Sequence, residues 1–155
     1  MRKTLTLCIV HQNNRVLLGL KKRGFGAGRF NGFGGKVESD ETIEEAAQRE
    51  LTEEAQITAQ DLQKLGMLTF IFENNVDILN VHIFKVENFE GEIGESEEMT
   101  PQWFPLHEVP FAHMWKDDQF WFPYFLENRK FIGCFAFDSQ DEILDYKLRE
   151  APELF

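Results

Sequence analysis

Six of the eleven glycines in this chain fall between Gly24 and Gly35, and an acidic helical segment follows them almost at once. A stretch so rich in glycine sustains neither a helix nor a regular strand; it is a turning loop in which backbone comes close to other atoms. Beyond it, Ile43, Ala46, Ala47 and Leu51 recur at helical spacing, and Thr42 with Glu45 has the form of a capping box. Glu50, Glu53 and Glu54 then stand at positions i, i+3 and i+4, which puts three carboxylates on one helical stripe. Any fold for this chain has to join a tight loop to a helix that carries three like charges side by side.

The flanking sequence supplies the sheet. Residues 4–10 and 15–21 have strand character, joined by the polar residues His11-Gln12-Asn13-Asn14. Leu68 to Glu73 and Ile78 to Val86 alternate apolar and polar positions, and Gln102 to Leu106 is a shorter strand candidate. Asp117 to Arg129 reads as a second helix, in which Pro123 predicts a kink or a late start. Phe131 to Phe137 and Ile143 to Leu148 predict a hairpin around Asp138-Ser139-Gln140-Asp141. With 155 residues, no repeat and no linker, the chain is expected to form one α/β domain over residues 1–155 with a mixed sheet and helices. Its 16 phenylalanines predict a strongly aromatic core or pocket. No apolar run approaches a membrane span, and the strand that begins just after Met1-Arg2-Lys3-Thr4 leaves no room for a cleaved leader. Cys8 and Cys134 lie in apolar runs and are expected as free thiols of a reducing compartment.

Three carboxylates on one stripe repel and weaken their own helix unless a cation neutralises them. Oxygen ligands at this density suit magnesium, or manganese in its place, rather than zinc. For a bare Glu-x-x-Glu-Glu run, a solvated acidic face is the commoner explanation, and only the surrounding sequence reverses that order. The formal net charge of −11 argues against non-specific binding of DNA or RNA. A polyanionic small substrate remains compatible with it, provided bound cations and local basic residues invert the charge inside the site.

The segment from Gly35 to Ile57 resembles the Nudix box: Gly, five residues, Glu, seven residues, Arg-Glu, an aliphatic, any residue, Glu-Glu, any residue, Gly, an aliphatic. Gly35, Glu41, Arg49, Glu50, Leu51, Glu53, Glu54 and Ile57 fall in place. By residue frequencies, the six fixed identities coincide by chance about once in ten million starts. Gln56 departs from the pattern by standing where the family has its glycine, which puts the turn after the helix in question but no metal ligand. The resemblance implies a Nudix fold, a mixed sheet sandwiched by helices. It also implies hydrolysis of a nucleoside diphosphate linkage, with Glu50, Glu53, Glu54 and the Gly35 carbonyl holding magnesium and Arg49 paired structurally with Glu41. Glu98, in the acidic segment Glu95-Ser96-Glu97-Glu98, matches a further loop carboxylate of related enzymes. It joins Glu53 and Glu54 as a candidate general base and joins the metal ligands.

Residues 21–36, 115–123 and 143–150 are similar to the animal members of the family that hydrolyse oxidised purine nucleoside triphosphates. The likeness implies conversion of 8-oxo-dGTP, 2-oxo-dATP and related nucleotides to monophosphate and pyrophosphate, which sanitises the nucleotide pool before misincorporation into DNA. It further implies a monomer, expected in the cytoplasm, with sharing into the mitochondrial matrix and nucleus left open; the charge and the lack of a long apolar run predict no nucleic-acid or membrane partner. A purine pocket needs faces to stack on and polar groups at the base edge. Phe25, Phe70, Phe72 and Trp115 offer the faces; Asn31 offers a planar donor and acceptor; Asp117 and Asp118 are adjacent acids of which one is expected to keep its proton. Thr6 and Lys21 are expected at the pocket mouth and Leu79 in its wall. Without the resemblance, Asp117 reads as a helix N-cap and the aromatic residues as plain core. The competing readings are a Nudix hydrolase of ADP-ribose or a dinucleoside polyphosphate, and a catalytically silent Nudix binding module.

Overall fold

The computed structural model describes residues 1–154. Its strands are β1 (Arg2–Gln12), β2 (Arg15–Lys21), β3 (Phe30–Asn31), β4 (Thr58–Ala59), β5 (Gln63–Phe72), β6 (Ile78–Val86), β7 (Phe89–Glu90), β8 (Met99–Pro105), β9 (Phe131–Phe137) and β10 (Ile143–Glu150). Its helices are α1 (Ile43–Ala55) and α2 (Asp118–Leu126). Among the described residues, the main sheet runs β10-β9-β5-β6-β1-β2-β3, with β8 also pairing β2. It is mixed: β1–β6 and β5–β9 pair in parallel, and the other pairs of this sheet are antiparallel. A separate ribbon pairs β4 with β7.

The sheet is buried on both faces, which is why β1 and β2 read as nearly continuous apolar runs. On one face, Ala47, Leu51 and Ala55 of α1 pack with Cys8, Val10, Leu17 and Phe84. On the other, Trp121, Phe122 and Phe125 of α2 pack with Ile9, Val16, Leu18, Leu68 and Phe131. Cys8 and Cys134 are free, and no helix among the described residues is long and apolar enough to cross a membrane.

Several expectations shift in detail. β1 continues through His11 and Gln12, and the turn is the Asn13-Asn14 pair, both at positive φ (52° and 60°), the two-residue geometry that matches strand twist. β5 starts five residues before Leu68, because an irregularity between Lys64 and Gly66 breaks the alternation that would reveal it. β8 runs from Met99, not Gln102, and ends at Pro105, not Leu106; among the described residues it pairs only β2, so Pro101 and Pro105 are tolerated on an edge strand. Pro123 sits inside α2 rather than at its start.

Candidate active site

The loop after β3 is held against β1. Phe33 and Cys8 exchange backbone hydrogen bonds (2.6 and 2.8 Å), and Thr6 N–H donates to the Gly35 carbonyl (2.9 Å). A Cβ at Gly34 would stand 1.7 Å from the Thr6 carbonyl oxygen, and one at Gly35 would stand 2.7 Å from the Glu50 carboxylate. Glycine is thus required twice, first for strand contact and then for a carboxylate to lie on the backbone. The Thr42–Glu45 capping box forms as expected and fixes the start of α1.

From that start the helix carries its acids to the loop. Glu54 is only 4 % exposed and accepts a hydrogen bond from Gly34 N–H (2.9 Å). Burial, and secondarily the charge of Glu50, pushes its carboxyl up to about 8. Burial also raises Glu50, against the pull of Arg49. Glu53 is mostly exposed. Arg49 grips Glu41 with two hydrogen bonds (2.7 and 3.0 Å), donates to the Lys36 carbonyl (3.1 Å) and reaches Glu50 (2.8 Å) and Glu53 (3.3 Å). Hydrogen bonding from Arg49 holds Glu41 down at about 2. One guanidinium therefore ties loop to helix, which an isolated surface ion pair would not do.

Among the described residues, no three ligating side chains converge on one point, and Glu50 and Glu53 each accept a hydrogen bond from Arg49. The donor set nonetheless fits magnesium or manganese. It is all oxygen, it holds a buried carboxylate with no cation bonded to it, and the Gly35 carbonyl keeps a second lone pair.

Glu98 reaches the same region from the loop before β8. Its carboxylate binds Arg23 Nε (2.9 Å) and lies 3.9 Å from Lys21 Nζ, while Lys22 N–H donates to its carbonyl (2.8 Å). Lys22 also holds Glu95 and the Ser96 carbonyl.

Beside the loop is a cavity of about 210 Å³. Thr6, Lys21, Phe25, Asn31, Phe70, Phe72, Leu79, Trp115, Asp117 and Asp118, all expected from sequence, line it, together with Gly35. Phe25, 60 % exposed, stacks on Trp115 (5.1 Å between centroids, 25°) and meets Phe72 edge-on. Arg29 lies 4.2 Å from the Trp115 ring and is anchored by Asp141 (2.9 Å). Phe70 packs against Phe135 and Phe137. The Thr6 hydroxyl is buried with no hydrogen-bond partner.

Asp117 occupies the N-cap position of α2 but caps nothing; its carboxylate accepts from Trp121 Nε1 instead (2.8 Å). Asp117 and Asp118 are both buried. Burial first, and then the neighbouring Asp117 charge, drives the Asp118 carboxyl well above the ordinary range. Sequence reasoning missed Trp121 as the partner of Asp117, although their i, i+4 spacing signals it. It also missed the apolar wall of Leu5, Leu7, Leu68, Val81, Ile83, Met99 and Phe137. Alternation on β1, β5 and β6 marks most of these as one face, but not as the face that stays open.

A family model described as NUDIX domain matches residues 1–125. The chain is 52 % identical over 152 residues to the oxidized purine nucleoside triphosphate hydrolase of Danio rerio, covering 98 % of this chain and 97 % of that one. It is 54 % identical over 145 residues to the protein of the same name in Mus musculus, covering 94 % and 93 %. The crystal structure of a MutT protein from Bacillus halodurans superposes with a TM-score of 0.85 at 32 % identity, over 94 % of this chain and 97 % of that one.

Proposed function

The chain belongs to the Nudix hydrolase family, and from that premise we propose that it hydrolyses oxidised purine nucleoside triphosphates, 8-oxo-dGTP and 2-oxo-dATP among them, to monophosphate and pyrophosphate. The observation that carries this reading is the seam at Gly34 and Gly35. Both glycines line the aromatic cavity, and the same two residues meet Glu54 and Glu50. A base in the cavity would thus hold its phosphates against the carboxylate stripe.

Glu50, Glu53, Glu54, Glu98 and the Gly35 carbonyl would hold the cation, magnesium in preference to manganese. When bound, it supplies neutralisation of the phosphate chain and acidifies water. The protein's own groups do the rest. Trp115, Phe25 and Phe72 stack the base, and Asn31 with the Asp117–Asp118 pair reads its edge. Lys21 at the mouth offsets phosphate charge. Glu98, beside Lys21 and open to water, is with Glu53 and Glu54 one of three carboxylates placed to take the proton of the attacking water. Glu54 is held by Gly34 N–H and Glu50 by Arg49, which fixes where these two carboxylates start from. The protein acts as one domain over residues 1–155 and as a monomer. Its free thiols fit a reducing compartment, for which the cytoplasm is our reading.

A panel of nucleotides assayed for pyrophosphate release, with and without magnesium, tests the reading. We expect 8-oxo-dGTP and 2-oxo-dATP to exceed dGTP in kcat/KM by about tenfold or more, as loss of edge hydrogen bonds requires, and chelation to stop turnover. Equal rates for 8-oxo-dGTP and dGTP, or preference for ADP-ribose or a dinucleoside polyphosphate, would overturn the substrate.

A further inference from the structure

Gln56 ends α1 in the left-handed region (φ 63°, ψ 26°), where the Nudix box has glycine. A side chain there is strained, so its presence calls for a compensating contact. The contact is made to the loop that carries Glu98. Gln56 Nε2 donates to the Glu95 carbonyl (2.8 Å). The side-chain amide lies against Gly94, where a Cβ would come within 2.6 Å of Gln56 Oε1, and Gly94 N–H donates to the Ala55 carbonyl (3.0 Å). Gly91, at positive φ, brings its backbone under the Gln56 carbonyl. The opposite side of the same loop is fixed by Lys22 and Arg23 at the end of β2. The loop is thus pinned on two sides, and on the α1 side one of the pins is a side chain that glycine could not provide.

We propose that Gln56 is a positioning residue: its amide latches the Glu95–Glu98 loop to the C-terminal end of α1 and sets where Glu98 stands relative to Glu50, Glu53 and Glu54. The proposal rests on the reading of Glu98 as part of the site. Glycine at 56 would relieve the backbone and loosen the loop at Glu95, leaving the Gly94–Ala55 backbone bond in place. Glutamate at 56 would keep the size but face the Glu95 carbonyl with no proton to donate.

The test combines Gln56→Gly, Gln56→Glu and Glu98→Gln. Gln56→Gly folds with an unchanged or higher melting temperature, because strain relief offsets the lost hydrogen bond. Its kcat falls about tenfold while KM changes less than about twofold, the pattern of a misplaced catalytic group rather than lost binding. Amide hydrogen exchange of residues 94–98 accelerates in both Gln56 variants while that of α1 does not. In the Glu98→Gln background, Gln56→Gly costs nothing further. Wild-type kcat in Gln56→Gly, unchanged exchange at 94–98, or additive losses with a slow Glu98→Gln would each overturn the proposal alone. A Glu98→Gln enzyme of wild-type rate would instead overturn the role of Glu98, and the proposal with it.

Discussion

Asp118 is buried next to Asp117, whose own carboxylate is bound by the Trp121 indole. Two carboxyls so close and so dry do not both ionise, and the proton they keep makes the pair both donor and acceptor. An 8-oxoguanine edge and a 2-oxoadenine edge call for different placements of that proton. We therefore expect the pH profiles for the two nucleotides to differ, and Asp118→Asn to remove the difference by fixing the donor. Identical wild-type profiles, unchanged in Asp118→Asn, would contradict this. Glu54 gives a second expectation at this scale. Its folded-state carboxyl, raised to about 8, binds a proton that the unfolded chain has lost above 4.5. The folded state binds more protons in that window, so stability falls as pH rises from 4.5 to about 8. Without metal, Glu54→Gln should remove that slope and stabilise the protein near pH 8, by on the order of 2 kcal/mol. With metal, the same change should lower kcat by about 10²–10³-fold. Melting curves against pH and single-turnover rates check the two halves separately.

At the scale of elements, α1 and the loop before it act as one unit because Arg49 joins them. Its guanidinium satisfies Glu41, the Lys36 carbonyl, Glu50 and Glu53 together, which a lysine ammonium cannot reproduce in a plane. Arg49→Lys is expected to lower the melting temperature and to reduce kcat about tenfold through misplacement of Glu50. A variant that loses neither would reduce the contact to an ordinary surface pair. Much of this unit was legible beforehand. The capping box at Thr42 and the stripe of Glu50, Glu53 and Glu54 follow from spacing along one helix, and the Glu41–Arg49 pair, whose acid precedes the helix, followed from the resemblance to the Nudix box. The reach of Arg49 to its own neighbours was not, since it depends on how Gly35 brings the loop back over the helix.

For the whole molecule, legibility follows how local the cause is. β6 and β9 were read with their bounds, because their patterns and flanking turns are local. The two-residue strands β3, β4 and β7 have too few positions to show a period, and β8 hides behind two prolines that only its place at the edge permits. The pocket's aromatic residues and acids were legible through the family resemblance, since by themselves they read as core and a helix cap. Its apolar wall depended on which face of the sheet α2 leaves uncovered, a tertiary fact. The chain's charge of −11 also acts at this scale. It should leave the protein without measurable affinity for duplex DNA even at about 50 mM salt, where weak phosphate binders are retained; retention would contradict the reading of a free-nucleotide enzyme.

The most direct measurement is a crystal structure with manganese and a non-hydrolysable 8-oxo-dGTP analogue, the metal located by its anomalous signal. The account predicts the metal about 2.1–2.2 Å from oxygens of Glu50, Glu53 or Glu54 and of the Gly35 carbonyl, bridging to the phosphate chain, with the base between Trp115 and the Asp117–Asp118 pair. Carboxylates of α1 left in solvent, with metal and phosphates bound elsewhere, would contradict it.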